Sequence, residues 1–138
     1  MRSILKSAFW LALIVLSCGC SSDDKLLPLK GRIVKGGSTF EPGPLEIMQV
    51  IFVPVPSNGE PVRDHYYANF NDTNSTFVVA GKTGKGLPPG RYRVSLELMK
   101  DRKDQYHGKC DAVRSPFVFD IDEKTKEVVV DVEKIPNV

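Results

Sequence analysis

Beyond residue 28 the chain alternates apolar and polar side chains in short runs, each closed by proline, glycine or asparagine. The clearest run lies in Leu87 to Leu98, L-P-P-G-R-Y-R-V-S-L-E-L. Tyr92, Val94, Leu96 and Leu98 fall on one face of a period-2 strand, and Arg91, Arg93, Ser95 and Glu97 on the other. Such a strand belongs to an antiparallel sheet with one buried face. Pro88 and Pro89 fix φ near −65° without offering amide donors, and Gly90 is free to take a positive φ, so the strand is predicted to follow a sharp corner.

The same reading places further strands on either side. Leu29 to Val34 alternates, with Leu29, Gly31 and Ile33 on one side, and Gly36-Gly37 ends it; Ser38 to Pro44 reads as a loop. Leu45 to Val55 is apolar on both faces, as a central strand should be, and Pro54 and Pro56 stop its ladder. His65 to Phe70 and Thr76 to Ala80 form a short pair across the polar turn Asn71 to Ser75. Gly81 to Gly86 loops into the corner. Lys100 to Arg114 is charged and aperiodic, and is predicted to be a long exposed loop. Pro116 to Ile121 and Glu127 to Val132 read as a terminal strand pair across Asp122 to Lys126.

Seven strands at turn-punctuated intervals predict an all-β domain over 29–138, a seven-stranded antiparallel β-sandwich. The order L-K-G-R-I-V, V-I-F-V-P, F-V-V and L-P-P-G-R-Y-R-V-S-L resembles the carboxypeptidase regulatory-like domains of the transthyretin-like (prealbumin-like) superfamily. The segments S-P-F-V-F-D-I-D and K-E-V-V-V-D-V-E are similar to the closing hairpin of small exported lipoproteins in planctomycete-type bacteria. The resemblance covers nearly the whole chain beyond the leader and implies a fold, not a reaction. The chain departs from it at the middle turn, N-D-T-N-S, where the family commonly carries a D-x-x-G turn.

Residues 1–28 do not continue the alternation. Met1 to Lys6 is basic, and Ser7 to Leu16 is an apolar run too short for a comfortable membrane span, the layout of an export signal. Small residues and cysteines follow, and here the chain resembles the bacterial lipoprotein signal, in which a cysteine is lipidated and becomes the new N-terminus. Two registers fit. Cys18 has the aliphatic Val15 at −3 and is favoured, whereas Cys20 has Gly19 at −1. The resemblance implies a signal peptide over 1–17, a lipidated tether over 18–28, and membrane attachment through lipid. Gly19 or Ser21 follows the lipidated residue where an aspartate would favour inner-membrane retention, so an outer-membrane, periplasm-facing anchor is expected. Two cysteines remain, and in an oxidising compartment Cys20 can pair with Cys110.

Charge removes one class of partner. With Arg2 and Lys6 in the leader, the remaining chain carries 17 basic and 17 acidic residues, which offers no footprint for nucleic acid. Partners are expected among envelope proteins or glycans. Candidate chemistry is thin. Gly81-Lys-Thr lacks the glycine a phosphate loop needs five residues earlier, where Thr76 stands. Asn69 to Ala80 lacks the glycine and glutamate of a calcium loop. His65, Tyr66 and Tyr67 alternate across a strand and cannot all face one ion, and Tyr106-His107 with Cys110 supplies too few ligands for zinc. The C-terminus, Lys-Ile-Pro-Asn-Val, lacks the tail of the transthyretin-like purine hydrolases. No catalytic residue, metal or cofactor is therefore expected. The alternative is a small envelope enzyme or metal protein using His65, His107 and the nearby tyrosines.

Overall fold

β1 (Leu29–Lys35) buries Leu29, Gly31 and Ile33 and exposes Lys30 and Arg32, the alternation the sequence carries. It belongs to a computed structural model that describes residues 25–58 and 64–137. Gly36 and Gly37 have φ of 58° and 85°, the two left-handed positions of a tight hairpin. They return the chain into β2 (Ser38–Thr39), so the expected loop opens with a two-residue strand.

β3 (Ile47–Pro54) is central, flanked by β4 (Tyr66–Asn71) and by the long β6 (Gly90–Lys100). β4 turns into β5 (Thr76–Val79) through Asx turns in which Asn71 accepts from the Thr73 amide and Asn74 from the Thr76 amide. β7 (Lys103–Asp104), β8 (Val118–Ile121) and β9 (Val128–Asp131) follow, and a 3-10 turn spans Val132–Lys134. The fold is all-β. Its strands lie in one sheet in the order β2-β1-β5-β4-β3-β6-β7, with β8 also on β6 and β9 also on β1. Every pair is antiparallel except β1 with β9, which is parallel.

All seven expected strands are present, with the two-residue β2 and β7 besides. One expectation needs correcting: the terminal pair is not a hairpin. β8 pairs with β6 from Gly90 to Arg93, whereas β9 pairs with β1 from Gly31 to Val34. The reason lies in what each strand can satisfy: β1 and β6 each have a second edge to fill, and β8 and β9 fill one apiece. Residues 122–127 link the two, and six residues reach at most about 20 Å. The ends of the sheet path must therefore lie close together, which is why the sheet is curled.

The inner face of the curl is the core. Leu29, Ile33, Phe77, Val79 and Val130 pack with Val50, Phe52, Tyr92, Val94 and Leu96 in one cluster. Phe52 on β3 meets Phe77 on β5 with ring centroids 5.8 Å apart, and Tyr92 on β6 at 6.3 Å. Phe77 also explains Gly31: a Cβ there would stand 2.1 Å from the Phe77 ring and 2.6 Å from the Val128 carbonyl oxygen.

At the corner, Leu27 and Leu87 exchange backbone hydrogen bonds of 2.8 and 3.0 Å. Gly86, with φ of 110°, lets the Leu27 carbonyl oxygen come within 1.9 Å of where a Cβ would stand. Gly81, Gly84 and Gly86 have φ of 65°, 76° and 110°, and Gly90, with a positive φ of 158°, pairs with Ile121 as β6 begins. The Tyr92 hydroxyl donates to the Pro88 carbonyl at 2.6 Å and ties the strand to its corner.

The segment expected to be a long exposed loop is folded against the second edge of β6. The Asp104 carboxylate accepts from the amides of Leu98, Tyr106 and Gly108, at 3.2, 3.0 and 2.7 Å. Tyr106 and Cys110 are buried in the core. The Leu96 amide donates to the Cys110 carbonyl and the Val94 amide to the Phe117 carbonyl. An exposed edge is a template for aggregation, and this segment covers it. No period announces it because left-handed residues at Asp101, Arg102, His107 and Gly108 place each buried side chain individually.

Candidate functional site

The outer face of β4, β3 and β6 carries a groove. Strand register sets its floor: Ile51 lies between Tyr67 and Ser95, and Val53 beside Arg93. Two lobes, of about 310 and 360 Å³, share Val53, His65 and Ala112. The first lobe is lined also by Ile51, Tyr67, Ser95, Glu97 and Asp111. The second adds Pro54, Val55, Pro56, Arg93 and Val113.

One wall of the groove is the segment 111–115, held in a tight turn by its own charges. Asp111 Oδ1 accepts from the amides of Val113 and Arg114, and Oδ2 lies 2.6 Å from Arg114 Nη2. The hydrogen bonds from the Arg114 side chain and amide hold the Asp111 carboxyl at about 2, below the usual aspartate range. Arg93 Nη1 donates to the Ser115 carbonyl at 2.6 Å, and the Ser115 hydroxyl donates to the Val94 carbonyl. The turn is thus fixed to β6 at its far end, and Ala112 and Val113 stand over the strand.

Side chains in the groove differ in how far they are committed. Ser95 is 4 % exposed, and its hydroxyl has no hydrogen bond among the described residues. The only sealed side-chain polar atom without a partner there is Tyr106 Oη, so Ser95 Oγ opens to the groove that it lines. Glu97 makes no ion pair among the described residues. Tyr67 is 65 % exposed, a large aromatic surface at the rim. Ser95, His65 and Asp111 are the residue types of an acyl-transfer triad, but they are not arranged as one. β3 lies between Ser95 and β4, which places them two strand spacings, about 9.5 Å, apart, and Asp111 is committed to Arg114. What the arrangement offers is binding: an apolar floor, a buried hydroxyl, an aromatic rim and an unpaired carboxylate.

A second cavity, of about 290 Å³, lies where Leu98 and Tyr106 meet Phe40, Val132 and Ile135, with Lys35, Gln105 and Glu133 also lining it. Burial pushes the Tyr106 hydroxyl well above the ordinary tyrosine pKa. Cys110, fully buried, has its thiol pushed up to about 11 by desolvation.

His65 lines the groove, whereas His107 sits exposed in a left-handed turn position beyond Tyr106 and lines neither cavity. Tyr66 turns inward and packs edge-on against Tyr92 at 5.9 Å, so it does not share a face with His65 or Tyr67. Among the described residues no three His, Cys, Asp or Glu side chains gather where they could hold one ion. Cys18 and Cys20, with the leader and most of the tether, lie outside the described residues. Cys110 is a free, buried thiol, which a partner thiol reaches only if the covering segment lifts.

Sequence reasoning missed Tyr67, Ser95, Glu97 and Asp111 as a group. The available signal was Ala112-Val113, an apolar pair inside a charged stretch. No protein-family model, no curated protein and no solved structure matches the chain, so a functional reading stands on these residues alone.

Proposed function

We propose that the chain is an exported lipoprotein, anchored by lipid on Cys18 or Cys20 to the envelope membrane, the outer membrane on its periplasmic side. Its body is a non-enzymatic binding or structural module, and the transthyretin-like β-sandwich is its architecture. The observation that carries the reading is where the folded body begins. Leu27 is already hydrogen-bonded to Leu87, seven residues after Cys20 and nine after Cys18. Nine residues span at most about 32 Å, so a lipidated cysteine holds this end of the body at the membrane.

The corner, the loop Gly81 to Gly86 and the link between β8 and β9 all lie at that end, because Leu29 pairs with Val79, Gly90 with Ile121 and Gly31 with Val128. The sandwich reading is supported by the contact of Phe52 with Phe77 across the inside of the curl. The binding reading is supported by the groove, whose polar groups are partly uncommitted but lack a base beside a nucleophile. Labelling with a palmitate analogue in the native host tests the anchor. Incorporation is expected in the wild type and lost when Cys18 and Cys20 are both replaced by serine; label that persists in the double variant refutes it. The alternative, an enzyme or metal protein using His65 and His107, predicts a stoichiometric metal or a turnover that fails on their replacement.

A further inference from the structure

We propose that the lobe of the groove formed by Ile51, Tyr67, Ser95, Glu97 and Asp111 binds an alkylammonium or guanidinium group on an apolar stem, as a lysine or arginine side chain or a free diamine presents. The proposal rests on the reading of the groove as a binding surface and adds the chemistry of what enters it.

The floor sets the first requirement. Ile51 and Val53 are side by side on β3 and offer an apolar strip, which favours a hydrocarbon stem over a uniformly polar ligand. Ser95 sets the second. Its hydroxyl lines the lobe, in a residue 4 % exposed, with no hydrogen-bond partner among the described residues. Opening into the lobe, it can accept a hydrogen bond from a donor that enters there.

The third requirement is charge. Both Asp111 oxygens are engaged by the Arg114 side chain and the turn amides, so Asp111 contributes a field more than a free ligand-binding oxygen. Glu97, two residues along β6 on the same face as Ser95, has no cation opposite it among the described residues. Its register partner is Gln49. Tyr67, across β3, presents its ring, on which an ammonium or guanidinium is attracted electrostatically. Arg93 occupies the other lobe, where it repels a cation and leaves the Glu97 end as the favoured seat. A carboxylate, a neutral sugar or a purely apolar molecule matches only some of these groups.

The test is an amide chemical-shift titration of the whole chain with Cys18 and Cys20 replaced by serine and Cys110 kept. The probes are 1,5-diaminopentane, Nα-acetyl-lysine methylamide, butyrate and N-acetylglucosamine. Saturable shifts at Ser95, Glu97, Tyr67 and Asp111 are expected with the two amines. The acetylated lysine binds more tightly if the natural source is a protein side chain, and the diamine if it is a free amine. Glu97→Gln should weaken amine binding about fivefold or more, the effect of losing a charge-assisted contact, while its unfolding midpoint stays within the wild-type range. Saturable shifts at these residues with butyrate or N-acetylglucosamine but not the amines overturn the ligand class and leave the groove a binding surface. No saturable shift with any probe overturns both, as does an equal amine affinity in Glu97→Gln for the ligand class.

Discussion

Replacing Tyr106 by phenylalanine should stabilise the protein. Tyr106 is 3 % exposed, and its hydroxyl is sealed from solvent without a partner. A buried hydroxyl with no hydrogen bond costs about 1–3 kcal/mol on the mutational scale. Phenylalanine keeps the ring in place among its neighbours and gives up only the volume of one oxygen, a cavity penalty of a few tenths of a kcal/mol at ~24 cal/mol per Å³. The net expectation is a gain of about 1–2 kcal/mol. In a body of this size that is a rise in Tm of roughly 4–8 °C for each kcal/mol, or a higher urea midpoint with the slope unchanged. The pH dependence supplies a second readout. Burial raises the folded pKa of Tyr106 above its ordinary value of 10.0, so at alkaline pH the unfolded chain gives up this proton before the folded one does. This titration therefore leaves stability unchanged below pH 10 and lowers it as pH rises from there toward the folded value. Tyr106→Phe should lose less stability than the wild type above pH 10. A midpoint lowered by 1 kcal/mol or more would refute the reasoning, because it would mean that the hydroxyl is bonded to a group such as an ordered water.

Two further outcomes follow from the same core. Gly31→Ala should cost about 1–3 kcal/mol in urea unfolding, the scale of overpacking, because the new Cβ meets the Phe77 ring and the Val128 carbonyl; a neutral effect would mean that β1 and β9 are less tightly joined than their register shows. Cys110, raised from 9.0 to about 11, contributes stability that is present below pH 9 and is lost as pH rises through 11, about 2 kcal/mol by that point. Cys110→Ala should flatten this part of the alkaline profile, measured as unfolding free energy against pH, and an unchanged slope would refute the assignment.

The strands were legible because each carries its own period. Tyr92, Val94, Leu96 and Leu98 are buried as their alternation requires, and β3 sits between two partners as its doubly apolar run requires. Strand partners were less legible. Val118 to Ile121 and Val128 to Asp131 look like a hairpin because a short polar turn joins them, and local pattern holds no information about edges left open elsewhere in the sheet. Gly31 was visible as a glycine in a strand, a position that signals close approach, but the approaching ring comes from β5, more than 40 residues on. The segment from Asp101 to Phe117 was read as exposed because it is charged. Its order comes from one carboxylate, Asp104, that gathers three amides, and a single aspartate in a charged run has no signature in sequence.

The groove was hidden for a different reason. Arg93, Ser95 and Glu97 alternate with the core residues of β6, and an outward face holding a cation, a hydroxyl and an anion reads as solvated. It is solvated only where nothing lies over it. The turn at 111–115 stands over the middle of that face, so Ser95 is buried while Glu97 remains partly open. The turn exists because Asp111 can accept from Val113 and Arg114 at once, and it is pinned because Arg93 reaches the Ser115 carbonyl. One member of the outward face thus holds the lid that buries its neighbour. Breaking that contact should therefore be felt in the turn before it is felt in the sheet: Arg93→Met is expected to raise amide exchange across residues 111–115 while the amides of Ser95 and Glu97, which face β3, stay protected.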